Sequence, residues 1–221
     1  MLAWYDLRVI HELNMQISWL GLSCFEITTS TTTGEVSLVV DPYGNETGLR
    51  FPRTLEADIV CVSHDESDAN NLSAVGGDPF VVKMPGEFEI KDVFVYANQS
   101  EGTILFRIES EGMRVAHLGA LNRVLTNKEL EELGTVDVLM VPVGGGRVLT
   151  PKLAAEVISQ IEPRVVVPMT HAVPNMKETL ATADDFCKAI GACRREATNK
   201  FKFARKDLPE EDMLIMELAR T

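Results

Sequence analysis

The chain has 221 residues, of which 45% are hydrophobic and 24% are charged, a composition typical of a globular protein that folds in water. The formal net charge of −12 argues against a nucleic-acid partner, because binding a phosphate backbone normally requires a basic surface. No apolar stretch is long enough for a transmembrane helix, and the N-terminus lacks the features of a signal peptide. The sequence therefore predicts a cytoplasmic protein with no membrane partner.

The four cysteines contain no C-x-x-C pair. Cys24 and Cys61 stand in apolar strand patterns, where a free cysteine behaves as a small hydrophobic residue. Cys187 and Cys193 lie on either side of Gly191 and are interpreted as helix-packing residues. The sequence thus predicts no disulfide framework, which fits a reducing compartment.

Strands dominate the predicted first half of the chain. Residues 1–14 are interpreted as an N-terminal extension with the apolar spacing of a short amphipathic helix, followed by a domain at 15–221. Alternating apolar and polar residues predict the first three strands at 16–20, 24–28 and 36–40. Further strands, separated by short turns, predict an antiparallel meander over 80–82, 87–90, 93–97, 103–108 and 114–117.

Helices alternate with strands in the second half. Thr126 and Glu129 form a capping box, Pro151 follows the capping residue of a second helix, and Thr182 starts a third helix. Apolar runs predict buried strands at 136–141, 164–169 and 213–218. This succession predicts an α/β protein with two sheets and helices outside, in one domain.

The most informative stretch is residues 57–71. Ile59, Val60 and Val62 predict a short strand buried on both faces, which runs directly into an acidic polar segment at 63–68. His64, Glu66 and Asp68 alternate in that segment, so in an extended loop their side chains point the same way. A buried strand that delivers such groups from its end is a rigid support for metal or acid/base chemistry.

This stretch resembles the metal-binding signature of the metallo-β-lactamase superfamily, in which a strand ends in Thr-His-x-His-x-Asp-His. The resemblance is to the lactonase-like, Zn-dependent hydrolase branch and extends from about Met15 to about Leu218. It implies a four-layer αβ/βα sandwich of two mixed sheets, with the site at one edge between them. Other motifs that carry it are Ile17-Ser18-Trp19-Leu20-Gly21, Asp41-Pro42-Tyr43, Pro85-Gly86-Glu87-Phe88-Glu89-Ile90, His117-Leu118-Gly119, residues 137–145 and Val167-Pro168-Met169.

The family's dinuclear ligand set is only partly present. The resemblance implies five histidines and two aspartates around two metals, and three positions match: His64, Asp68 and His117. A bridging aspartate is replaced by Ala120. The three remaining histidine positions hold Glu66, Ala69 and Thr170. His171 is the residue directly after the last of these positions.

Two interpretations follow from this pattern. In the first, the dinuclear centre is dismantled and the protein is non-catalytic, acting by binding a small molecule or as an interaction subunit. A homo-oligomer is compatible with this interpretation.

In the second interpretation, His64, Glu66 and His117 hold a single divalent metal, which would be zinc, manganese or iron. Asp68 would position a water, and His171 is a weaker candidate ligand. The reaction would be hydrolysis of a small ester, lactone or phosphoester.

A glycine cluster at 144–146 precedes Arg147. Successive backbone N–H groups there could cradle a phosphate. The Gly-Lys-Ser/Thr sequence of a P-loop does not follow, and glycine clusters usually mark turns, which favours a loop at the edge of the site.

Overall fold

A computed structural model describes residues 14–191 and 193–221, so the predicted helical extension at 1–13 lies outside the described residues. In the described ranges the strands are β1 (Met15–Gly21), β2 (Cys24–Thr31), β3 (Gly34–Val40), β4 (Leu55–Glu56), β5 (Ile59–Cys61), β6 (Val75–Gly76), β7 (Phe80–Val82), β8 (Gly86–Ile90), β9 (Val93–Ser100), β10 (Thr103–Ser110), β11 (Met113–His117), β12 (Val138–Pro142), β13 (Val165–Met169), β14 (Arg195–Thr198), β15 (Phe201–Phe203) and β16 (Leu214–Leu218). The α-helices of the same ranges are α1 (Asn127–Leu133), α2 (Pro151–Ile161) and α3 (Ala183–Ile190).

The described strands form two large mixed sheets and one short pair. The first sheet has the strand order β15-β1-β2-β3-β5-β7, and the second has the order β14-β16-β13-β12-β11-β10-β9-β8. In the first sheet, β3, β5 and β7 run parallel. In the second sheet, β11, β12, β13 and β16 run parallel, while β8 to β11 are antiparallel. The predicted α/β class with two mixed sheets is confirmed.

The main hydrophobic core lies between the two sheets. Alternate residues of β1, β2 and β3 face alternate residues of the second sheet, which is the period-2 pattern that the sequence predicts. Trp19, Phe25 and Phe106 are among the largest side chains buried there. Burying such side chains contributes about 1.5–3 kcal/mol each, which makes this layer the main source of stability.

The two outer faces are covered differently. All three described helices pack on the second sheet, with Leu133, Val157 and Phe186 among the residues they bury. The first sheet is covered by the chain between β3 and β7, which contains 3-10 turns at Asn45–Thr47 and Leu72–Ala74 and the β4–β6 pair. Within the described residues, no helix is long and apolar enough to cross a membrane.

The helix starts follow the local chemistry of the sequence. Thr126 caps α1 and Thr182 caps α3, each in a capping box with the acidic residue three positions later. The side chain of Thr150 accepts a hydrogen bond from Leu153 N, and Pro151 opens α2. Each cap satisfies backbone N–H groups that the helix leaves unpaired, at about 1 kcal/mol per cap.

The predicted meander is wrong at its first strand. β7 lies in the first sheet, parallel to β5, and the antiparallel meander begins only at β8. The turn between Val82 and Gly86 carries the chain from one sheet to the other. The prediction failed because three apolar residues cannot specify which sheet they join.

The prediction that no cysteines pair is also wrong. Cys187 and Cys193 are joined by a disulfide, with Cα atoms 5.5 Å apart. α3 ends at Ile190 and the chain reverses at Gly191, so Cys193 returns to the last turn of the helix. Cys24 and Cys61 are buried free thiols, as the sequence predicts.

Candidate functional site

Several strand ends meet at one edge of the sandwich. β3 leads into Asp41, β5 leads into the 62–71 loop, and β11 ends at His117. Asp41 N donates a hydrogen bond to Cys61 O at 2.9 Å, which fixes the first two of these ends side by side. Carboxyl ends of parallel strands lie at the same sheet edge, so the fold places the predicted site residues near one another.

Asp41 is the buried anchor of this edge. Its side chain is fully buried and accepts hydrogen bonds from Ser63 N at 2.7 Å and from Ser63 Oγ at 2.7 Å. The positive φ of Asp41, +49°, is a conformation that aspartate tolerates better than most residues. Ser63 Oγ also lies 2.8 Å from His64 Nδ1, so the chain of polar contacts continues outward.

His64 sits between two oxygen partners. Its Nε2 is 3.1 Å from Asp68 Oδ1, and its side chain is only 8% exposed. Ser63 Oγ donates its single hydrogen to Asp41, so His64 Nδ1 must donate to Ser63 Oγ, and Nε2 donates to the Asp68 carboxylate. His64 is therefore an imidazolium in this arrangement.

The charges agree with this assignment. Burial alone lowers the pKa of His64, but the hydrogen bond to Asp68 and the nearby Asp41 charge outweigh it, and the net pKa is raised. For Asp68, burial raises the pKa, but the hydrogen bond to His64 and the charge of Arg147 outweigh burial, and the net pKa is lowered. His64 and Asp68 thus stabilise each other's charged forms.

Arg147 completes the site on the outer side. Its Nη2 lies 2.6 Å from Asp68 Oδ2, as an ion pair without the alignment of a hydrogen bond. Its Nε donates to both carboxylate oxygens of Glu178 at 3.1 Å. A guanidinium therefore contacts Asp68, the carboxylate that matches a position of the family's ligand set.

His117 is held by backbone groups. Its Nε2 donates to Ser23 O at 2.8 Å, and its Nδ1 accepts from Gly119 N at 3.1 Å. The ring is fully buried, packs edge-on against Phe25, and lies 4.0 Å from Asp41 Oδ2 through Nε2. Burial lowers the pKa of His117, so the imidazole is neutral and both of its nitrogens are already occupied.

The turn that follows β11 depends on a glycine at position 119. Its φ is +53°, and a Cβ at this position would lie 2.3 Å from Thr103 Oγ1 and 2.7 Å from Ser63 Cβ. Thr103 Oγ1 in turn accepts a hydrogen bond from Ala120 N at 3.1 Å. The residue at the bridging-aspartate position therefore contributes a backbone contact and no ligand.

The other predicted residues do not join this group. The Glu66 side chain is exposed, and the Glu66 carbonyl accepts hydrogen bonds from Ala69 N and Asn70 N. His171 is buried and packs against Trp19 at a tilt of 33°, with ring centroids 4.6 Å apart. Among residues 14–191 and 193–221, no group of three His, Cys, Asp or Glu side chains could hold a metal ion. The structure brings His64, Asp68 and His117 to one edge but does not arrange the predicted ligands around a common point.

Sequence reasoning missed two features of this site. The Arg147–Asp68 ion pair joins residues 79 positions apart, and its only signal was the glycine cluster that marks a loop at the edge of the site. The use of both His117 nitrogens by Ser23 and Gly119 had no signal in the sequence, since backbone acceptors and donors exist at every position.

The fold and the edge site define the class of protein. The sequence profile described as the beta-lactamase superfamily domain matches residues 16–170, and the chain belongs to this family. A crystal structure of a candidate Zn-dependent hydrolase of the metallo-β-lactamase superfamily from Thermotoga maritima is similar, with a TM-score of 0.76 and 33% sequence identity. The match covers 92% of this chain and 100% of that one.

Two more distant proteins are similar over most of their length. A UPF0173 metal-dependent hydrolase of Thermococcus onnurineus is 26% identical over 216 residues, covering 80% of this chain and 92% of the relative. Igni18, a metallo hydrolase of Ignicoccus hospitalis, has a TM-score of 0.60 at 18% identity, covering 80% of this chain and 90% of its own. The second likeness concerns the fold alone.

Proposed function

We propose that this protein is a metal-independent member of the metallo-β-lactamase fold that acts by binding a ligand, not by hydrolysis at a dinuclear centre. The observation that carries the proposal is the state of the two matching histidines. All four ring nitrogens of His64 and His117 already have protein partners. A metal ligand needs a free imidazole lone pair, which neither ring offers here.

The charge balance at the edge supports the same conclusion. In a metal site, the cation balances the carboxylates and orients the ligands. Here Asp68 is balanced by the imidazolium of His64 and the guanidinium of Arg147, and buried Asp41 accepts two hydrogen bonds from Ser63. Protein groups therefore supply the positive charge that a metal supplies elsewhere.

The donor set does not fit the implied metals. Hydrolysis by this superfamily depends on a metal that lowers the pKa of a bound water. Three of the histidine positions and the bridging aspartate position hold Glu66, Ala69, Thr170 and Ala120, and the exposed Glu66 side chain is turned to solvent.

The alternative is a mononuclear hydrolase acting on a small ester, lactone or phosphoester. The description of the Thermococcus relative as a metal-dependent hydrolase favours it. In that state His117 would have to release Ser23 O and Gly119 N, Glu66 would have to turn inward, and Asp68 would have to leave Arg147 to position water. His171 would have to leave Trp19 to become a further ligand.

Metal content separates the two functions. Protein purified without nickel affinity resin and dialysed against low zinc is analysed by elemental mass spectrometry, before and after zinc or manganese is offered. We expect a stoichiometry near zero and no change in thermal midpoint on adding a chelator. A stoichiometry near one per chain that is lost in Glu66→Ala, but kept in the matched variant Asp65→Ala, would establish the mononuclear alternative.

A further inference from the structure

Four strands form the free edges of the two large sheets in the described ranges: β15 and β7 in the first sheet, and β14 and β8 in the second. Edge strands expose unpaired backbone N–H and C=O groups, and proteins commonly protect them with charged side chains. Three of these edges carry charged residues, which are Lys202 in β15, Arg195 and Glu196 in β14, and Glu87 and Glu89 in β8. β7 has the sequence Phe80-Val81-Val82 and carries none, so this edge lacks the usual protection.

The two most exposed large hydrophobic side chains of the described residues lie beside this edge. Met84 is 60% exposed and Phe80 is 49% exposed. Phe80 is the first residue of β7, and its ring centroid lies 5.9 Å from that of Phe88 in β8. Met84 stands in the turn that leads from β7 to β8. Exposed apolar side chains next to unpaired backbone groups mark an interaction surface.

The hydrogen bonds of β7 show which of its backbone groups face outward. Phe80 N donates to Asp58 O at 2.8 Å, and Val82 O accepts from Val62 N at 2.9 Å. Successive residues of a strand direct their N–H and C=O groups to opposite sides. The N–H and C=O of Val81 therefore point away from β5, toward the free edge, where no other described strand pairs with them.

Two exposed charges of opposite sign lie at the two ends of this strand. Asp78 stands two positions before β7, and Lys83 directly follows it. Neither side chain has an ion-pair or hydrogen-bond partner within residues 14–191 and 193–221. An antiparallel pairing brings the start of one strand beside the end of the other, so pairing β7 with itself sets each Lys83 near an Asp78.

We propose that β7 pairs antiparallel with β7 of a second copy of this chain, across a two-fold axis. Val81 stands opposite Val81 of the second copy, and each donates its N–H to the carbonyl of the other. One step outward, Lys83 N–H donates to the carbonyl of Pro79, a position that can accept although proline cannot donate. The pairing joins the first sheets of the two copies into one continuous sheet.

The side chains of this edge are complementary to themselves, as a two-fold interface requires. In this register Phe80 lies opposite Val82 of the second copy and diagonally across from its Met84, which removes the exposed apolar surface from water. The Lys83 ammonium faces the Asp78 carboxylate at both ends of the pairing. Both the apolar and the charged groups of the edge therefore find partners in a second copy.

The molar mass of the full chain in solution tests the proposal. In sedimentation equilibrium, we expect the mass to rise from 24.4 kDa toward twice that value at about 100 μM protein, because an interface of this limited extent supports a dissociation constant of about 1–10 μM. Phe80→Ser should raise that constant about tenfold or more, since it removes an apolar side chain at the centre of the interface. Phe94→Ser is the matched control, because Phe94 is 40% exposed on the face of β9 that points away from the core, and it should leave the constant unchanged.

A charge exchange tests the antiparallel register on exposed side chains alone. Lys83→Asp and Asp78→Lys each place like charges together at both ends of the pairing, and each should weaken the dimer about tenfold. The double variant restores opposite charges with their signs reversed, so it should dimerise as the parent does. Circular dichroism and thermal unfolding check that each variant is folded, and the charge exchange decides the matter if Phe80→Ser does not fold.

A mass that stays at 24.4 kDa at the highest of these concentrations overturns the proposal, whether residues 1–13 or another protein covers the strand instead. A dimer that tolerates Phe80→Ser overturns it too, because the two copies then meet elsewhere. A charge-exchanged double variant that stays as weak as the single variants excludes the antiparallel pairing of β7. These outcomes leave the proposed function untouched, since that depends on metal content.

Discussion

The edge site around His64 and the region around His171 treat buried polar groups differently. From Asp41 through Ser63 and His64 to Asp68, each polar atom has a hydrogen-bond or ion-pair partner within the protein. Around His171, the ring Nε2 and the neighbouring Thr170 Oγ1 are both buried without a partner in the described residues. We call the first the complete region, because its polar atoms are paired within the protein, and the second the incomplete region, because two of its polar atoms are not.

The comparison shows two ways in which one fold can treat polar atoms at the ends of its strands. Leaving buried polar atoms unpaired is costly, so other groups of the protein must pair with them. Arg147 and Ser63 do this at the edge site. The two unpaired atoms near His171 lack such partners among the described residues.

The largest expected effect comes from breaking the anchor of the complete region. Asp41→Asn keeps the shape and the tolerance for positive φ but sets an NH2 group against a Ser63 donor. We expect the free energy of unfolding to fall by about 3 kcal/mol in urea denaturation, because a buried hydrogen-bonded charge is lost. The control Asp65→Asn, at an exposed carboxylate, should change it by less than about 0.5 kcal/mol. Equal effects of the two changes would show that Asp41 is not an anchor.

Removing the guanidinium should have the next largest effect. Arg147→Met leaves the buried Asp68 Oδ2 without its ion pair, and we expect a loss of about 1–2 kcal/mol, discounted because Arg147 is about one third exposed. Glu178→Gln removes only the outer contact of Arg147 and should cost less than half as much. Chemical denaturation of both variants measures the difference. A larger loss in Glu178→Gln would place the main role of Arg147 outside the edge site.

In the incomplete region, we expect one substitution to increase the stability of the protein. Thr170→Val replaces a buried hydroxyl that has no partner with a methyl group of the same shape, so we expect a stabilisation of about 1 kcal/mol. Thr103→Val removes a hydroxyl that accepts from Ala120 N and should destabilise by about the same amount. Thermal and urea denaturation of the pair provide the measurement. Destabilisation by Thr170→Val would show that the hydroxyl has a partner in solution.

The smallest effect is a difference in pH dependence. The pKa of His64 is raised, so its contribution to stability is complete below the unfolded value near 6.5 and is lost as the pH rises through the folded pKa. The pKa of His171 is lowered by burial, so its contribution is complete above that value and is lost as the pH falls through its folded pKa.

Two matched variants test this difference. His64→Gln should lower the free energy of unfolding relative to the parent protein, and this loss should shrink as the pH is raised from about 6 to about 8.5. The corresponding loss of unfolding free energy in His171→Gln should shrink as the pH is lowered from about 6.5. Urea denaturation across this pH range measures both losses of unfolding free energy. The contributions of the other titrating groups to the pH dependence cancel between parent and variant. Parallel trends for the two histidines would contradict the assignment of one as charged and the other as neutral.

The sequence alone predicted the features that depend on residues close together in the chain. The alternation in β1 to β3, the strand that ends at Cys61 and the capping boxes of Thr126 and Thr182 all depend on residues within a few positions of one another. The ordered motifs also indicated the superfamily and its two-sheet fold, which the match to residues 16–170 confirms. The substitutions at Ala69, Ala120 and Thr170 are visible in the sequence itself.

Only the tertiary structure decided which polar groups meet. It placed β7 in the first sheet, bonded Cys187 to Cys193, set Arg147 on Asp68 and turned His171 toward Trp19. These contacts depend on how distant segments pack, and a side chain's type does not reveal whether its nitrogens will meet a backbone carbonyl, a carboxylate or nothing. The sequence determined the fold and the residues available for chemistry, whereas packing decided which of their lone pairs stayed free.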